Sequence, residues 1–326
     1  MKIIVDAFGG DNAPLEILKG CAMAVEEFGV ELLLTGREDV IRKVAQENAI
    51  SLNGMEIADA PDVIGMEEHP EELMKSKKNS SLALAMRLLA EGKGDGFVGA
   101  GSTGATLMGA TLIVKRINGV KRPALAPVMP SENGKFLLID CGANVECRPE
   151  MLVQFAKMGS VYMERAFGIA KPRIGLANIG VEETKGTELQ KAVLPLLKNS
   201  GLNFIGNVES RDLPAGICDV VVADGFTGNM ILKTYEGVGA TLLGMIKGVL
   251  SKSAKNKLAA AIIYKDLKAA MKDMDPNSYG GAPFIGVKKP VFKAHGSSNA
   301  RTFKNAIGQV IRFAEGKVIE EIESSL

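Results

Sequence analysis

The sequence predicts an α/β protein: a doubly wound, mostly parallel sheet flanked by helices, with a protruding helical hairpin. Three observations predict it. Short apolar runs alternate with longer stretches of helical periodicity, the βαβα rhythm of a parallel sheet. Five of the runs lead directly into polar, glycine-rich turns. No tandem repeat or low-complexity segment interrupts the pattern. In chain order, "KIIVDA" (2–7) reads as a strand and 13–28 as a helix. "VELLLTG" (30–36) is a second strand, and 38–48 a second helix. "GFVGA" and "KFLLIDCG" are further strands, followed by a helix from Pro149 to Phe167. "RIGLANIG" (173–180) precedes the helical "GTELQKAVLPLLKN". "NFIGNV" and "DVVVADG" are strands again. A long helical stretch starts at Phe226, and 299–322 reads as one last helix. The expected organisation is one α/β unit over 1–326 with an arm at 240–274.

Composition narrows the function classes. A chain of 326 residues, 46% apolar and 24% charged, buries a large core. A net charge of +1 and only 5% aromatic residues argue against nucleic-acid binding. Cys21, Cys141, Cys147 and Cys218 match no zinc or disulfide spacing and read as small hydrophobes in a reducing compartment. "MKIIVDAFGGD" reads as a strand rather than a signal peptide. No segment reaches the roughly 20 apolar residues of a membrane span. The expected address is cytoplasmic.

Ligands of parallel sheets collect beyond the carboxyl ends of strands. The five turns there are "DAFGGDN" (6–12), "GAGSTG" (99–104), "DCGANVE" (140–146), "NIGVEETKGTE" (178–188) and "ADGFTGN" (223–229). Glycine and asparagine permit tight turns, which explains any one of them. Five together point to a shared cleft. Gly99, Gly101 and Gly104 spell the G-x-G-x-x-G of dinucleotide-binding loops. That reading also demands an acidic residue about 20 positions on. Here Lys115, Arg116, Lys121 and Arg122 occupy the region, with no acid before Glu132. What remains is an anion loop: Gly101 and Gly104 for close approach, Ser102 and Thr103 as hydroxyl donors at a helix start. Ser102 and Thr103 also suit simple helix capping.

Three polar residues stand out. Lys185 precedes a helix, where a cation is unfavourable unless an anion intervenes. It is a mobile charge suited to phosphate, or an ion-pair partner of Glu182, Glu183 or Glu188. Asn229 is an amide donor able to steady an oxyanion, or a helix-start residue. His295, in "KAHGSSNA", is an acid/base or phosphate donor, or a structural turn residue. No Ser–His–Asp order or paired carboxylate motif emerges, so positioning and electrostatics are the expected chemistry.

"DAFGGDNAP", "GAGSTGA", "DCGAN", "NIGVEETKG", "ADGFTGN" and "AHGSS" occur in this order from about residue 1 to 322. In them the chain resembles the phosphate acyltransferase family, acyl-ACP:phosphate transacylases of bacterial phospholipid synthesis. The resemblance implies a fold related to phosphotransacetylases and isocitrate/isopropylmalate-type dehydrogenases, a homodimer and no cofactor or metal. It implies acyl transfer from acyl carrier protein to inorganic phosphate, the acyl phosphate passing to a membrane acyltransferase. The family's functional lysine would fall on Lys185 and its functional asparagine on Asn229. Phosphate or substrate contacts are expected from Asp6, Gly9, Gly10 and Asp11 in the first loop. Others are expected from Gly101, Ser102, Thr103 and Gly104, and from Asn144, Asp224 and His295. Competing readings are an acyl-CoA phosphotransacetylase or butyryltransferase, an NADP-dependent dehydrogenase of related fold, and a non-enzymatic membrane scaffold.

Between 242 and 272 the chain turns basic and apolar. Met245, Ile246, Val249 and Leu250 precede a break near 251–256 that carries Lys252, Lys255 and Lys257. Such a pattern ordinarily marks a core hairpin with a solvated lysine face. It equally suits contact with an anionic membrane, at about 1 kcal/mol per surface lysine, or with an acidic carrier protein. The resemblance favours peripheral association with the inner face of the membrane.

Overall fold

The computed structural model describes residues 1–132, 134–273 and 280–326, so the predicted last residue of the arm, 274, lies outside the described residues. The chain begins β1 (Lys2–Asp6), α1 (Leu15–Phe28), β2 (Glu31–Gly36), α2 (Glu38–Glu47) and β3 (Met55–Asp59). It continues with α3 (Ser81–Ala90), β4 (Gly96–Gly99), α4 (Thr103–Gly109) and β5 (Ala124–Leu125). Next come β6 (Val128–Ser131), β7 (Gly134–Ile139), α5 (Pro149–Phe167), β8 (Ile174–Asn178) and α6 (Glu188–Lys198). Then follow β9 (Phe204–Glu209), β10 (Val220–Val222), α7 (Gly225–Ser251) and α8 (Ala254–Asp273). β11 (Gly281–Ile285), β12 (Val291–Ala294), α9 (Ala300–Glu315) and α10 (Val318–Ser325) close the chain.

The predicted α/β class holds, with the strands divided between two sheets. The first runs β3-β2-β1-β4-β12-β11-β5, parallel from β3 to β12. The second runs β6-β7-β10-β8-β9, antiparallel only at β6. Strand pleating sends Ile3 and Val5 into a core with α1 and α9, through Leu18, Cys21, Phe303 and Ile307. Ile4 points the other way, onto Leu82, Met86 and Leu89 of α3. Each such fully buried aliphatic side chain contributes about 1.5–3 kcal/mol. The first core continues unbroken into the second sheet through Leu137, Ile139 and Val220, under Leu152 and Phe155 of α5.

One helical expectation changes. The helix predicted at 299–322 is broken, because Lys317 adopts a left-handed φ of 51° between α9 and α10. A Cβ at Gly316 would stand 2.9 Å from the Arg165 carbonyl of α5, so the glycine lets the chain turn there. α10 then lies along α5, where Arg165 pairs with Glu321 at 2.9 Å. α7 starts at Gly225, one residue before the long helical stretch expected from Phe226, and its outer part enters the arm expected over 240–274. Its last described anchor on the body is Tyr235, whose hydroxyl donates to the Pro130 carbonyl at 2.6 Å. Beyond it, a Cβ added at Gly237, Gly239, Gly244 or Gly248 would meet nothing within 4 Å.

Candidate active site

The loops following β1, β4 and β12 are stitched together at the carboxyl edge of the first sheet. Asp11 N–H donates to the Gly296 carbonyl at 2.9 Å, and the Asn12 amide reaches the carbonyls of Ser297 and Ser298. A Cβ on Gly9 would lie 2.5 Å from the Gly101 nitrogen, and one on Gly10 2.8 Å from the Gly296 oxygen. One on Gly104 would strike the Pro70 ring at 2.6 Å. These glycines are therefore required by loop packing inside the protein. Asp6 is buried beneath them and accepts from Phe8 N–H at 3.1 Å. Burial pushes its pKa up, opposed by the Ser81 hydroxyl and the Phe8 N–H. Ser102 caps α4, its hydroxyl accepting from Ala105 N–H at 3.4 Å.

The second sheet supplies the facing wall. Asp140, just past β7, is fully buried. It accepts from the backbone N–H groups of Leu125, Cys141, Ala143 and Asn144 at 2.6–3.2 Å. Burial pushes its pKa up to about 6 against those donors. Asn144 donates its amide to Asp140 and to the Pro123 carbonyl, and its own carbonyl accepts from Gly225 N–H at 2.8 Å. Asp224 caps α7 by accepting from Thr227 N–H at 2.9 Å. α7 lies so close to this loop that a Cβ on Gly228 would fall 1.9 Å from the Asp140 carbonyl oxygen. The next residue is Asn229. Its amide stands over Gly142 and has no hydrogen-bond partner among the described residues.

Between the walls lies a cavity of about 720 Å³. Asp11, Thr103, Lys293 and His295 line one side, and Cys141, Gly142, Asn229, Lys233 and Glu236 the other. The chain crossing from β5 to β6 contributes apolar Leu125, Val128 and Met129. His295 Nδ1 lies 3.2 Å from the Ser297 N–H that donates to it, so the neutral ring carries its proton on Nε2. The Cys141 thiol is no nucleophile: it donates to the Leu138 carbonyl, and burial holds its pKa far above neutrality.

Of the residues expected from sequence, the cavity gathers Asp11, Thr103, Asn229 and His295. Asp6, Gly9, Gly10, Gly101, Ser102, Gly104, Asn144 and Asp224 build its walls through the contacts above. Lys185 is elsewhere, exposed in the loop after β8. β8 and β10 are adjacent and parallel, so this loop stands at the same sheet edge as the start of α7. Of the acids considered as its partners, Glu183 pairs with Lys198 at 2.5 Å and Glu188 with Lys191 at 3.4 Å, while Glu182 stays in its own turn, its carboxylate and the Lys185 stem both flanking Gly180. The Lys185 ammonium makes no ion pair among the described residues. Sequence reasoning missed Asp140 and Lys293. Asp140 opens the turn "DCGANVE", where its type alone does not separate a buried backbone acceptor from a loop residue. Lys293 is a lone cation in the apolar run "VFKA", a signal that was there to be read.

A family described as "Fatty acid synthesis protein" matches residues 1–321. A Clostridium acetobutylicum protein named "Phosphate acyltransferase" is 47% identical over 327 aligned positions, covering 100% of this chain and 99% of its own length. Among solved structures, a phosphotransacetylase from Streptococcus pyogenes superposes with a TM-score of 0.64 at 17% identity, covering 98% of this chain and 94% of that one. A Klebsiella pneumoniae 4-hydroxythreonine-4-phosphate dehydrogenase gives 0.58 at 13%, covering 96% and 99%. Both are likenesses of fold.

Proposed function

The chain belongs to the phosphate acyltransferase family, and from that premise we propose that it moves a fatty acyl group from acyl carrier protein to inorganic phosphate. The observation that carries the reading is the cleft, in which the unpartnered Asn229 amide faces Thr103 and His295 across a largely apolar passage. In this mechanism the thioester carbonyl lies against Asn229, whose N–H donates to the oxyanion as phosphate attacks. The new C–O bond forms first, and as the oxyanion collapses the C–S bond breaks and the pantetheine thiolate leaves. Phosphate near neutral pH is already nucleophilic, so positioning it is the main task. Lys185, exposed and unpaired at the same sheet edge, is assigned to draw phosphate in. The Nε2–H of His295 is assigned to hold it.

The products are acyl phosphate and free carrier protein, and the acyl phosphate passes to a membrane acyltransferase. We extend the proposal to the arm, which we assign to an anionic membrane surface rather than to the carrier protein. Met245, Val249, Leu258 and Ile262 are exposed there beside Lys252, Lys255 and Lys257. No described helix is long and apolar enough to cross a membrane.

The test is phosphate-dependent loss of thioester from palmitoyl–acyl carrier protein, with hydroxylamine trapping of the acyl phosphate and palmitoyl-CoA in parallel. The expected result is conversion of the carrier-protein substrate only when phosphate is present. Conversion of the CoA thioester alone would assign the protein to phosphotransacetylase chemistry and overturn the carrier-protein assignment.

A further inference from the structure

β12 runs parallel beside β4, with Lys293 in register with Gly99. Its backbone belongs to the sheet, and its side chain passes beneath the loop that follows β4. There the Nζ donates to the Ala100 carbonyl at 3.3 Å and also to the Ala294 carbonyl. The residue is only 8% exposed, yet it lines the same cavity as Asn229, Thr103 and His295. Two carbonyls engage two protons of an ammonium that has three. Among the described residues no carboxylate forms an ion pair with it. Asp11 is the anionic group that favours its charge, and Glu236, Lys233, His295 and Cys141 are the other titratable groups lining the cavity. A buried ammonium without a carboxylate in ion-pair contact is costly. An anion arriving beside it gains most, because water screening is weak there.

We propose that Lys293 is the cation that binds the phosphate nucleophile inside the cleft, its third N–H directed to a phosphate oxygen opposite the Asn229 amide. The proposal rests on the phosphate-transfer reading and deepens it. Lys185 acts at the exposed edge, whereas Lys293 acts where the new bond forms. Burial of the amine, which lowers its pKa to about 8, is the cost that a bound dianion offsets.

The test uses the full chain and two substitutions, Lys293→Met and Lys293→Gln, each checked for folding by its melting temperature. KM for inorganic phosphate and KM for palmitoyl–acyl carrier protein are measured separately, together with the melting-temperature rise produced by inorganic phosphate. The expected result is a phosphate KM raised at least about tenfold in both variants, an acyl-substrate KM within about twofold of wild type, and loss of the phosphate-induced thermal shift. Glutamine keeps a donor for the Ala100 and Ala294 carbonyls. Recovery of wild-type phosphate affinity in Lys293→Gln would therefore make Lys293 a loop support and overturn the proposal. So would a wild-type phosphate KM in Lys293→Met. Should the wild-type protein convert no acyl thioester, the functional reading falls, while the thermal shift still decides whether Lys293 binds phosphate.

Discussion

Asn229 and Lys185 divide the work of the proposed reaction in ways that kinetics can separate. Removing one oxyanion donor costs about 100- to 1000-fold in rate. Asn229→Ala is therefore expected to lower kcat by that factor with an unchanged melting temperature, since the amide supports nothing else in the fold. Lys185→Ala is also expected to cut turnover strongly without unfolding, because its ammonium has no ion pair to lose. Near-normal turnover in either variant would remove that residue from the mechanism. Lys293 adds a pH signature in stability. Its folded pKa is about 8 against 10.5 for the free group. Between those values the unfolded chain binds the proton and the folded chain does not, so stability rises with pH across that window. Below about pH 8 the cost of the buried charge is fully present, and above 10.5 it is gone. At about 1.4 kcal/mol per pKa unit, the stability of Lys293→Met relative to wild type is expected to fall by about 3 kcal/mol between pH 8 and 10.5. Denaturant unfolding at three pH values in that range, without phosphate, checks this. A flat difference would mean the amine titrates normally.

At the level of elements, α7 couples the cleft to the arm. Its first turn packs on the loop after β7 so closely that position 228 admits no side chain. Overpacking of this kind costs typically about 1–3 kcal/mol. Gly228→Ala is expected to lower the melting temperature and, by pushing Asn229 away from Gly142, to lower kcat as well. Wild-type kcat in a folded Gly228→Ala would show that the site tolerates the shift. The major strands and helices were legible because apolar runs and helical periodicity are local signals. β3, β5, β12 and α3 were not, and neither were β6 and β11. Each of the last two contains a proline, Pro130 and Pro283, and proline argues against a strand unless partners in the fold accommodate it. The helix predicted at 299–322 missed its break for the same reason: the turn at Gly316 answers to the carbonyl of Arg165, a residue far away in sequence.

At the scale of the whole molecule, the exposed hairpin changes meaning. A core hairpin buries its apolar stripe, and this one leaves Met245 at 64% and Ile262 at 76% exposed. Exposed apolar side chains gathered beside lysines mark an interaction surface. Flotation with anionic vesicles at low salt is expected to carry the protein upward. Lys252→Glu with Lys255→Glu should abolish flotation while leaving turnover on carrier-protein substrate intact. Failure of the wild type to float would sink the membrane assignment.

The sequence by itself determined the α/β class, the alternation of strands and helices, the family resemblance and the five loops that gather at strand ends. These depend on residue type and short-range spacing. Only the tertiary structure decided that the strands divide into two sheets, and that Gly9, Gly10 and Gly104 are required by neighbouring loops. It alone brought Lys293 beneath the loop of Gly99 and Ala100, and left Lys185 outside the cavity. Lys293 lies 193 residues from Ala100 in the chain. Whether a lone lysine in an apolar strand faces solvent or a cleft depends on which strand pairs beside it, and no local pattern encodes that choice.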